Sequence, residues 1–190
     1  MVNELPTLAF TSADEWRSWL EEHHATSEGI WLKFAKKASG IPSITPQEAL
    51  EVALCYGWID GQRKSFDDSY FINKYTTRTK RSMWSKRNRD IAEGLIEAEL
   101  MQPAGLREIE RAKQDGRWRR AYDSPANMSL PEDFLTELKK DSDAFAFFET
   151  LNKSNTFEIA RRLQTASKPE TRQRRMEKIL AMMKAGEKFY

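Results

Sequence analysis

Alternation of apolar and polar residues with the two-residue period of a strand is confined to the part of this chain between Gly29 and Thr77. From Ser85 to the C-terminus the apolar pattern is helical. That division predicts an α+β fold: a small antiparallel or mixed sheet with helices in the N-terminal part, then an all-helical C-terminal part. Ile30, Leu32 and Phe34 alternate with Trp31, Lys33 and Ala35. Farther on, Tyr70, Ile72 and Lys74 alternate with Phe71, Asn73 and Tyr75. Short strands are expected at 58–60 and around 62–67, a turn at Asp67-Asp68-Ser69, and a strand over 69–76.

Helix starts are marked by capping chemistry. Ser12 with Glu15 precedes Trp16, Trp19 and Leu20, which predicts a helix over about 13–24. Thr45, Pro46 and Glu48 open a second helix, with Leu50, Ala53 and Leu54 on one face and Gly57 as its stop. Ser85 caps a helix expected to reach Leu100, and Pro103 starts one ending at Gly116. The stretch from Trp118 to Asn127 reads as a linker or packed loop. Pro131 starts a further helix, Phe145, Phe148 and Leu151 mark another, and the last two run over roughly 155–166 and 169–184. We expect an α+β portion over 1–126 and a helical module over 127–190, packed as one unit.

Several function classes recede on composition. No apolar run approaches the roughly 20 residues needed to span a bilayer, and Met1 to Phe10 lacks the pattern of a secretory signal. Cys55 is alone, so nothing asks for an oxidising compartment, and the expected location is the cytoplasm. Two histidines and one cysteine without ligand-pair spacing point to no metal site, and no cofactor motif is found. Net charge is +2 but uneven: residues 62–89 hold nine Lys or Arg against Asp67 and Asp68, and residues 161–190 hold nine more against three Glu. Such polarity can steer an anionic partner.

The densest chemistry lies between Trp58 and Asn88. Asp60, flanked by Ile59 and glycines, is expected to be a partly buried carboxylate with Arg63, Lys64 or Arg78 as its cation. Arg78, Lys80, Arg81, Lys86 and Arg87 interleave with Tyr75 and Trp84. Guanidinium groups bind phosphate bidentately and flat rings stack on planar ligands. The expected ligand site comprises Trp58, Asp60, Lys64, Tyr75, Arg78, Lys80, Arg81, Trp84, Ser85 and Asn88, with the free N–H groups of the helix at Ser85 adding to it. The partner would be an anionic small molecule or a nucleic acid. Two other roles fit the residues: an enzyme with Asp60 as general base, or a module whose C-terminal helices dock another protein. The arginines at 161–175 are either a grip for a nucleic-acid backbone or a solvated face with i,i+4 partners.

The string Ala53-Leu54-Cys55-Tyr56-Gly57-Trp58-Ile59-Asp60-Gly61, the run Ser82-Met83-Trp84-Ser85-Lys86-Arg87-Asn88, and Ala112-Lys113-Gln114-Asp115-Gly116-Arg117-Trp118 resemble the bacterial YdeI/OmpD-associated family, also called bacteriocin-protection proteins. Lys168-Pro169-Glu170-Thr171-Arg172-Gln173-Arg174-Arg175 is similar too, so the resemblance runs from about Phe10 to Gly186. It implies protection against bacteriocins or related envelope stress, with no established reaction. Thr77 and Thr79 depart from the family's usual proline and arginine, which removes one guanidinium from the basic segment.

Overall fold

The structure is a computed structural model describing residues 4–124 and 127–190. Pro125 and Ala126, where the expected boundary of the two portions falls, lie outside the described residues. The chain forms two compact units, one of residues 1–82 with 90–115 and one of residues 83–89 with 116–190.

The first unit is built on a four-stranded mixed sheet. Its elements are β1 (Thr7–Ala9), α1 (Ala13–His23), β2 (Ile30–Ala35), a 3-10 turn (Lys37–Ser39), α2 (Pro46–Cys55), β3 (Trp58–Ser65), β4 (Tyr70–Thr77), most of α3 (Lys86–Glu97), and α4 (Pro103–Gln114). Strand order is β1-β2-β4-β3, with β1 parallel to β2 and the other pairs antiparallel. Three residues are too few for β1 to show a period, and its pairing with Trp31, Leu32 and Lys33 is what makes it a strand. The two strands expected at 58–60 and 62–67 are one, interrupted by an irregularity between Asp60 and Arg63.

Ile30, Leu32, Phe34 and Tyr75 present one sheet face to Trp16 and Leu20 of α1 and to Ala49, Val52 and Ala53 of α2. Trp16 is the hinge of this core. Its ring meets Trp58 edge-on at 6.2 Å and Tyr75 at 5.7 Å, and its Nε1 donates to Ala49 O at 3.1 Å. A buried indole with its N–H satisfied is a large, geometrically specific contribution to a core. Gly57 turns α2 directly into β3 at φ 74°, where a Cβ would stand 3.1 Å from Ala104 O.

In the second unit α5 (Glu132–Leu138), α6 (Ser142–Glu149), α7 (Lys153–Gln164) and α8 (Pro169–Lys184) close around Phe134, Leu138, Ile159, Leu163, Ile179 and Met183. The tail is tied down by buried Asn155, whose Oδ1 accepts from Phe189 N at 2.9 Å and whose Nδ2 donates to Asn152. The segment 83–89 joins this unit through Trp84, which meets Trp118 at 4.8 Å, and through a parallel bridge between Ser85 and Tyr122.

Candidate anion-binding site

The expected stacking platforms are interior residues. Trp58 is fully buried, its ring edge-on to Trp16 and Trp19 and its Nε1 donating to His24 O at 3.1 Å. Tyr75 is buried in the same core. Desolvation pushes its phenol well above the usual range, and the charge of Asp60 adds to the rise. Trp84 is buried against Trp118. Bulky rings beside alternating apolar residues are what a core takes first, so these three have no face to offer a ligand.

The polar candidates divide differently. Arg78 is 2% exposed; its backbone N–H donates to Gly57 O and its carbonyl accepts from Arg111, whose guanidinium also pairs with Glu108. Asp60, expected to be partly buried, is exposed on edge strand β3 opposite Tyr75, because every residue of that strand past Ile59 leaves the shelter of the helices. Lys80 and Arg81 are exposed. Ser85 caps α3: its Oγ accepts from Asn88 N at 3.1 Å and its carbonyl accepts from Arg89 N. The Lys86 N–H donates to Tyr122 O, so three donors of that helix start are spent on protein rather than open to an anion.

Four arginines of the second unit, Arg161, Arg162, Arg172 and Arg175, are similarly spent. Glu158, 5% exposed at its side chain, receives Arg161 at 2.7 Å and Arg162 at 2.6 Å. Desolvation pushes its carboxyl up, but the bonds from the two guanidiniums overcome this and hold it below its ordinary value. Arg172 forks onto Asp133 with bonds of 2.6 and 2.8 Å, and Arg175 donates to Arg162 O. Tyr190 is the only large apolar side chain exposed among the described residues of this unit, while Phe145, Phe147, Phe148 and Leu180 of its helices are half-buried.

Cations do gather at one place, the end of the sheet in the first unit. Lys36, Lys37, Arg63, Lys64, Ser65 and Phe71 line an open concavity of about 480 Å³, and none of these residues is acidic. Strand pairing explains the gathering: Ser65 lies opposite Phe71 and Arg63 opposite Asn73, while Lys36 and Lys37 follow directly on β2. Arg63 lies over the Phe71 ring at 3.7 Å. Lys36 Nζ donates to Asp67 O at 2.7 Å, while the Asp67 carboxylate is taken up by the N–H groups of Ser69 and Tyr70 in the β3–β4 turn. Of the expected ligand residues only Lys64 lines this concavity. Lys36 and Lys37 lie outside the stretch in which the sequence concentrates charge, and only the β2–β4–β3 pairing brings them to Arg63.

Two family models match the chain. Residues 8–108 match a domain of unknown function, DUF8412, and residues 127–186 match the model described as bacteriocin-protection, YdeI or OmpD-associated. No curated protein and no solved structure matches it. The YdeI/OmpD-associated resemblance thus rests on the C-terminal helices, whereas the Gly-Trp-Ile-Asp-Gly and Trp-Ser-x-x-Asn segments fall within the first model. By the match over more than half of its length, the chain belongs to the DUF8412 family, while its C-terminal helices are similar to the model described as bacteriocin-protection, YdeI or OmpD-associated.

Proposed function

We propose that the protein is a cytoplasmic binding protein for a phosphate-bearing anion, acting in protection against bacteriocins or related stress. The observation that carries this reading is the concavity in which Lys36, Lys37 and Arg63 meet, with Lys64 at its border and its ammonium over Trp31, and in which no lining residue is acidic. Three like charges, those of Lys36, Lys37 and Arg63, held around one space repel each other, and an anion seated among them relieves that repulsion. Arg63 rests over the Phe71 ring at 3.7 Å, and its planar guanidinium suits bidentate recognition of phosphate. Ser65 adds a hydroxyl at the same rim. The bacteriocin role comes from the description of the C-terminal model, and the ligand class comes from the charge.

The test is titration calorimetry with inorganic tripolyphosphate at low salt, on the wild type and on Arg63→Ala. Loss of one charge-assisted fork is worth about 1.5–3 kcal/mol, so affinity should fall roughly ten- to a hundredfold. Added salt should weaken the wild type steeply. Equal affinity in the two proteins overturns the reading.

A further inference from the structure

The face of the sheet turned away from α1 and α2 carries a second arrangement of rings and cations. Register defines it as a grid. Trp31 of β2 lies opposite Lys74 of β4, Lys33 lies opposite Ile72, and Ala35 lies opposite Tyr70. On the other side of β4, Lys64 pairs with Ile72, and Phe66 N donates to Tyr70 O, which sets Phe66 beside Tyr70. Two rings therefore stand at one end of the face, one at the other, and lysines lie between them. Lys33 Nζ sits 4.3 Å from the Phe66 ring and 4.4 Å from the Tyr70 ring, and Lys64 Nζ sits 4.6 Å from the Trp31 ring. Phe66 is 48% exposed, and Trp31 and Tyr70 are half-buried. Lys64 also borders the cationic concavity, so the two surfaces meet around edge strand β3, with Arg63 over Phe71 on one face and the Lys64 ammonium over Trp31 on the other.

We propose that this sheet face binds a single strand of nucleic acid, with bases stacked on Trp31, Tyr70 and Phe66 and the sugar-phosphate backbone led toward the concavity. The proposal deepens the anion-binding reading and rests on it for the backbone contacts. Spaced rings on a solvent-facing sheet, with positive charge between them, match the two demands of a single strand: unpaired bases offer apolar faces and phosphates offer charge. The ammonium groups now resting on the rings do not block this. An exposed ammonium–ring contact is weaker than base–aromatic stacking, so a base displaces the ammonium, and the freed lysine turns to the adjacent phosphate. A duplex keeps its base faces covered and cannot use the rings.

Fluorescence anisotropy with a labelled single-stranded oligonucleotide, in DNA and RNA versions, against the same sequence as duplex tests this on the intact chain. We expect a single strand of one or both sugars to bind at least tenfold more tightly than duplex, and Phe66→Ser to lower that affinity about tenfold at unchanged salt dependence. Phe66 lies past the end of β3 and outside the core, so its loss leaves the fold in place. Trp31→Leu should show the same loss, and Trp31→Phe should restore most of the affinity. Lys64→Gln should instead flatten the salt dependence by about one phosphate contact. Equal binding of duplex and single strand, or unchanged affinity in both Phe66→Ser and Trp31→Leu, overturns the proposal. Tripolyphosphate binding that Arg63→Ala abolishes would then leave the anion reading standing alone.

Discussion

Gly105 shows how a single atom can set a helix contact. It lies at the start of α4, where Gln102 N donates to Cys55 O, and a Cβ there would sit 2.7 Å from Leu54 O. The neighbour is backbone and cannot swing aside. Gly105→Ala should therefore destabilise the first unit by about 1–3 kcal/mol, the usual cost of overpacking, despite alanine's better helix propensity. Urea denaturation reads the difference, and a neutral result would mean that α2 and α4 can slide apart. Glu158 is a second residue with an outsized role, since two guanidiniums converge on one enclosed carboxylate. Glu158→Gln should cost about 1–2 kcal/mol, below the range for fully buried pairs because Arg161 and Arg162 keep part of their surface in water. A melting curve unchanged at neutral pH would count against the pair.

Capping and pairing govern the elements. Thr45 and Glu48 satisfy each other at the start of α2: Thr45 Oγ1 accepts from Glu48 N at 3.2 Å, and Glu48 Oε2 accepts from Thr45 N at 2.8 Å. The Thr45 N–H first, and second the Thr45 hydroxyl, which donates to Glu48 Oε2 at 2.7 Å, hold the Glu48 carboxyl below its ordinary value. Thr45→Ala should cost about 1 kcal/mol of stability, seen as a lower denaturation midpoint with an unchanged slope. Such local chemistry was legible from the residues. The Thr45/Glu48 capping box, the Ser12 cap of α1, the proline starts, and the alternation that sends Tyr70, Ile72 and Lys74 away from Phe71, Asn73 and Tyr75 follow from the neighbours of each residue in the chain; at α1 the Glu15 carboxylate takes Thr11 rather than the Ser12 N–H, so the second capping box expected there is only half formed. Strand β1 was not legible, because its partner β2 lies some twenty residues away in sequence and three residues define no period.

At the scale of the molecule, acid should loosen the helices of the second unit. In the second, Asp133, Glu158, Asp123 and Asp141 are all held below their ordinary values. Asp133 is held by Arg172 and Asp123 by Lys86; the Ala144 N–H and Lys184 act on Asp141, while Arg161 and Arg162 outweigh desolvation at Glu158. A carboxylate whose folded pKa lies below its unfolded value of about 4 contributes stability that is complete above the unfolded value. That stability is lost as pH falls toward the folded value. In the first unit Glu15, held by Thr11, and Glu48, held by Thr45, are lowered as well; from the four carboxylates of the second unit, amide exchange in α5–α8 should rise as pH drops below about 4. Exchange in α5–α8 that stays unchanged as pH falls from neutral to about 3 would refute this.

Fold class, helix starts and the in-or-out direction of strand residues were determined by the sequence alone, because they depend on contacts within a few residues. Which rings become core and which cations share a space was decided by tertiary structure. Trp58, Tyr75 and Trp84 were drawn inside by the area they remove from water, and Lys36 and Lys37 met Arg63 through pairing across β2, β4 and β3. Charge counted along the chain cannot foresee that meeting, since strand register, not sequence distance, sets which side chains become neighbours.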